Sequence, residues 1–81
     1  MTTFKKLIER EQYIVDEKEQ NFNNRVQLLY KLDEVANMSA SERNKLKDEV
    51  ASSESYEKEL TTELEQVRKS MKRHILKILD L

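Results

Sequence analysis

Apolar side chains recur along this chain at alternating steps of four and three residues, the spacing that lines one face of a helix. In the first half the steps fall on Phe4, Ile8, Glu11, Val15, Lys18, Phe22, Arg25, Leu29, Leu32 and Ala36. In the second half they fall on Leu46, Val50, Ser53, Glu57, Leu60, Leu64, Val67, Met71, His74, Ile78 and Leu81. Both runs read as heptad seams and predict long helices, apolar toward their ends and polar in the middle. The first half carries a further apolar column at Leu7, Ile14, Leu28 and Val35, interrupted at Asn21. Its apolar face is therefore three columns wide, which a two-stranded coil leaves at its margin and a bundle of three or four helices buries.

The two seams share one phase, because stepping from Leu32 through Ala36, Ser39 and Arg43 lands on Leu46. Taken alone, this favours one continuous helix of about 120 Å, paired in a parallel coiled-coil dimer. The stretch NMSASERNKL at 37–46 argues the other way. Ser39 followed by Glu42 fits a capping box, in which the serine hydroxyl accepts from the amide three residues on and the glutamate reaches back. Asn37 suits a left-handed position just beyond a helix end. These signals predict helices over about 3–37 and 40–80 with a turn at 37–40.

A fold at that point sets Leu32 near Leu46, Leu29 near Val50, Val15 near Leu64, Ile8 near Met71, and Phe4 near Ile75 or Ile78. It also brings Lys18 and Arg25 within a turn of Ser53 and Glu57, so that charge meets opposite charge or hydroxyl. The cap argument does not require that match, and it tips the balance. The expected fold is all-α: a single domain over 1–81, an antiparallel helical hairpin assembling into a coiled-coil or four-helix-bundle oligomer. The continuous parallel dimer is the alternative.

Composition narrows the function more than it names it. The chain has 81 residues, of which 38% are charged, with a formal net charge of −1 and no Gly, Pro or Cys. So short a chain without disulfides builds only a small core of its own, which turns attention to association. No apolar run approaches the roughly 20 residues of a membrane span, and MTTFKKLIEREQ breaks into charge before a signal sequence forms. A cytoplasmic or otherwise intracellular protein is expected. His74 is the single histidine and sits in a seam; with no cysteine beside it, no metal or other cofactor is expected. No nucleophile stands at a suggestive spacing from a base, and a loopless hairpin offers no pocket to desolvate a substrate, so the chain reads as non-enzymatic. Phe4, Tyr13, Phe22, Tyr30 and Tyr56 are too scattered to form a base-stacking platform.

Three groups of residues are candidates for recognition. Leu7, Ile14, Leu28 and Val35, with the seam residues Leu60, Leu64, Val67, Met71 and Ile78, are expected to form the oligomer or partner interface. Lys18, Arg25, Ser53 and Glu57 form a polar layer suited to setting register. Charge is also segregated: seven acids and one lysine lie between Asp48 and Glu65, followed by Arg68, Lys69, Lys72, Arg73 and Lys77 without an acid up to Leu79. Part of this pattern complements the helix dipole, and the rest makes a basic docking face for an acidic partner. The compensating acids argue against nucleic acid and membrane as partners.

The chain thus reads as a protein–protein interaction module, an adaptor, scaffold or assembly chaperone pairing with itself or another helical protein. Two other readings are a rod-like dimerisation segment of a larger assembly and a Rop-like RNA-binding bundle using Arg68 to Lys77.

Overall fold

The computed structural model describes residues 3–34 and 38–80. It contains two helices, α1 (Phe4–Glu34) and α2 (Ala40–Leu79). Thr3 opens α1: its hydroxyl accepts from the Lys6 N–H at 3.3 Å and its carbonyl from the Leu7 N–H at 3.1 Å. Ser39 opens α2 from an extended backbone, φ −65° and ψ 157°. Its Oγ accepts from the Glu42 N–H at 3.2 Å and its carbonyl from the Arg43 N–H at 3.0 Å. This is the serine half of the capping box, worth about 1 kcal/mol; the return bond from Glu42 is absent among the described residues. Asn37, expected in the left-handed region, lies outside the described residues, as do Val35, Ala36 and Leu81. At the far end the Asp80 N–H donates to the Leu76 carbonyl at 3.0 Å, and Lys77 complements the last turn.

The helices fold back on one another, giving an elongated body of 65 × 16 × 15 Å. A single straight helix would be nearly twice as long, about 120 Å, so the hairpin is adopted and the rod is not. Antiparallel pairing shows in its contacts: the Phe4 ring stacks on His74, with centroids 5.8 Å apart, while Asn21 bonds to Ser53. The core is small and lies toward the open end, with Leu7 and Ile14 from α1 against Leu60, Leu64 and Val67 from α2, and Met71 packed beside them. Leu28, Leu32, Leu46 and Val50, nearer the turn, are half-buried.

The α2 packing face follows its sequence seam from Leu46 to His74, and among the described seam residues only Ile78 falls outside, exposed at the end. The α1 packing face differs from the expected one. Phe4, Leu7, Glu11, Ile14, Lys18, Asn21, Arg25, Leu28 and Leu32 are buried or half-buried, whereas Ile8, Val15, Phe22 and Leu29 are exposed. The heptad stepping assigns Ile8, Val15, Phe22 and Leu29 to the inner seam and leaves Leu7, Ile14 and Leu28 for a partner. The fold turns Leu7, Ile14 and Leu28 inward instead. Ile8 and Val15, expected against Met71 and Leu64, remain 46% and 37% exposed, and Phe4 meets His74 rather than Ile75 or Ile78.

Candidate interaction surfaces

The middle of the helix pair is polar, and Asn21 and Ser53 satisfy one another across it. The Ser53 hydroxyl donates to Asn21 Oδ1, and the Asn21 amide donates to the Ser53 carbonyl. One turn further along the chain in each helix, Arg25 Nη1 approaches Glu57 Oε2 to 2.6 Å. Its N–H bonds point off that line, so this is an ion contact rather than a directed hydrogen bond. The Arg25 side chain is 12% exposed and its guanidinium lies 5.6 Å from the Phe22 ring centroid, a cation–π contact along α1. Lys18 is half-buried and forms no ion pair among the described residues. Of the four residues of the expected polar layer, the fold joins Arg25 to Glu57 and gives Ser53 a different partner, Asn21. In sequence Asn21 was only a gap in an apolar column, and its role emerges once it stands level with a serine.

The two flanks of the seam differ in chemistry. On one flank Arg10 pairs with Glu63, and the Tyr56 hydroxyl donates to Glu17 Oε2 at 2.9 Å. That bond and the neighbouring negative charge hold the Tyr56 phenol above its ordinary pKa of 10.0. Arg10 also lies 5.1 Å from the Tyr13 ring centroid. Exposed ion pairs of this kind contribute about 0–1 kcal/mol each, so they close the flank without dominating its energetics.

The opposite flank of α1 carries the exposed row Ile8, Val15, Phe22 and Leu29, each seven residues from the next. The row runs roughly 30 Å along the hairpin. In an antiparallel pair the corresponding flank of α2 is the heptad column Lys47, Glu54, Thr61, Arg68 and Ile75. Arg68 reaches across from it to Glu11 Oε2 at 3.0 Å.

Of the residues expected to meet a partner, Leu7, Ile14, Leu60, Leu64 and Val67 are buried between the two helices of one chain. Met71 and Leu28 are half-buried there, Val35 lies outside the described residues, and Ile78 is exposed. The basic residues Arg68, Lys69, Lys72, Arg73 and Lys77 are all exposed, with Ile75, Leu76 and Leu79 exposed among them. Surface depressions are open troughs; one is lined by Glu54, Glu57, Lys58, Thr61 and Thr62, all from α2. Among the described residues no cluster of His, Cys, Asp or Glu could hold a metal ion, and no helix is long and apolar enough to cross a membrane. The chain matches no protein-family model, and no curated protein or solved structure is significantly similar to it.

Proposed function

We propose that this chain is a non-enzymatic helical interaction module, a small adaptor or scaffold of the cell interior, that associates through Ile8, Val15, Phe22 and Leu29. The observation behind this reading is the exposed row itself, with Phe22 51% and Leu29 47% exposed. Four large apolar side chains at heptad spacing form a ridge that another amphipathic helix covers in the manner of a bundle. A second copy is the natural first occupant, because a hairpin presenting one such ridge completes a four-helix bundle when it meets its own ridge.

The energetics point to a modest affinity. Covering the exposed halves of both rows gains on the order of 6–12 kcal/mol, against an association cost of roughly 4–15 kcal/mol. A dissociation constant in the micromolar range or weaker follows, so the assembly responds to concentration. Sedimentation equilibrium from about 10 μM to 1 mM tests the reading. The wild-type chain should self-associate, while a Val15→Lys, Phe22→Lys double variant should stay monomeric with its helical circular dichroism intact. A chain that remains monomeric across that range, indistinguishable from the variant, overturns the proposal.

A further inference from the structure

Building on that reading, we propose that the second copy binds about a two-fold axis passing at the level of Val15 on α1 and Thr61 on α2. The contacts Glu11–Arg68 and Glu17–Tyr56 bracket these two residues, so they lie at one level of the hairpin. Ile8 and Phe22 stand seven residues either side of Val15 in one column, and Glu54 and Arg68 stand seven either side of Thr61 in another. Lys58 and Glu65 straddle Thr61 in the column next to it. A two-fold axis inverts each column onto itself. Ile8 then falls on Phe22 of the second copy, Val15 on its own mate, Glu54 on the second Arg68 and Lys58 on the second Glu65. Each of these four pairs is apolar with apolar or acid with base; Thr61 meets its own mate, Lys47 falls on the second Ile75 at the margin, and Leu29 lies beyond the matched stretch of the row.

Other placements lose this match. Shifting the axis by one heptad sets Glu54 or Arg68 against its own mate, because these charged residues flank Thr61 in the column. Like charges held face to face oppose association. Thr61 is thus the position in the stretch 47–68 of this column where an uncharged residue meets the axis. Glu54, Lys58 and Thr61 are also three of the residues lining the open trough on α2, so the α2 side of this face is a shallow recess beside the α1 row. The segregated charge of α2 has a use in this arrangement: the basic end of one copy lies along the acidic run of the other.

Because the chain has no native cysteine, single cysteines report the register directly. Val15→Cys should form a disulfide-linked dimer rapidly under oxidised glutathione. Leu29→Cys should not, since its mate lies roughly 40 Å away in this arrangement. Glu54→Arg should weaken dimerisation by about 10- to 100-fold, the single change acting at two symmetric contacts. Arg68→Glu added to it should restore association to within a few-fold of wild type. Because Arg68 also meets Glu11, the exchange Lys58→Glu with Glu65→Lys provides a second restoration that leaves that contact untouched.

If Val15→Lys with Phe22→Lys abolishes association, but Leu29→Cys cross-links as readily as Val15→Cys and neither charge exchange restores binding, the register is overturned and the interaction reading stands. A chain monomeric at every concentration overturns both.

Discussion

Asn21 and Ser53 exchange two hydrogen bonds across the helix pair, the serine hydroxyl donating at 3.0 Å and the asparagine amide donating to the Ser53 carbonyl at 2.9 Å. The exchange fixes the level at which α1 meets α2. A shift of either helix by one turn would leave both groups unpaired in a half-buried layer. Asn21→Ala should therefore cost about 1–2 kcal/mol, read as a lower urea midpoint with little change in slope. Replacing both, as Asn21→Leu with Ser53→Ala, should recover that loss while weakening the preference for one register. Hydrogen exchange near the turn would then show a second population.

Ile14 and Val15 are neighbours in sequence and opposites in the fold, one 0% and the other 37% exposed. Ile14→Ala should destabilise the hairpin by about 2–4 kcal/mol through lost burial and a residual cavity. Val15→Ala, measured below the concentration at which copies associate, should change stability by less than about 0.5 kcal/mol. Equal effects at the two positions in dilute thermal melts would mean that α1 packs through a different face.

Ser39 caps α2 from a position whose flanking chain must reverse direction. Ser39→Ala removes the acceptor for the Glu42 N–H and should cost about 1 kcal/mol, whereas Ser39→Gly should cost a few tenths. Chemical denaturation of the two variants checks the ordering. Matching losses would show that the hydroxyl contributes nothing beyond the backbone conformation.

Tyr56 gives the hairpin a signature at alkaline pH. Its hydrogen bond to Glu17 raises the folded pKa above 10.0, so the folded state holds this proton more tightly than the unfolded chain. The stabilisation is fully present below about pH 10 and is lost as pH rises through the higher folded value. Spectrophotometric titration should show one of the three tyrosines ionising late, and Tyr56→Phe should remove that late component. A Tyr56→Phe protein whose stability declines with alkaline pH as steeply as wild type would count against the linkage.

Much of the architecture is legible without coordinates. The absence of Gly and Pro with apolar residues at helical spacing dictates helices, and Ser39 with Glu42 marks where the second begins, because a cap depends only on the few residues around it. The α2 packing face is equally plain, since up to His74 its large aliphatic residues all fall in one pair of columns. The choice of face on α1 is different in kind. Columns 7, 14, 21, 28 and 8, 15, 22, 29 are both rich in apolar residues and both adjoin the column of Phe4, Glu11, Lys18, Arg25 and Leu32, and a count of hydrophobic positions, three of four against four of four, favours the column that the fold leaves exposed.

The partner helix decides between those columns. Turning Phe22 inward at the level of Ser53 would set a ring against a serine hydroxyl with no partner, whereas turning Asn21 inward satisfies both side chains. The sequence by itself determined that this chain is two helices joined near Ser39, through local capping and the α2 seam. Only the tertiary structure decided which α1 column is core and which is surface, because that choice rests on a polar match between residues 32 positions apart in the chain.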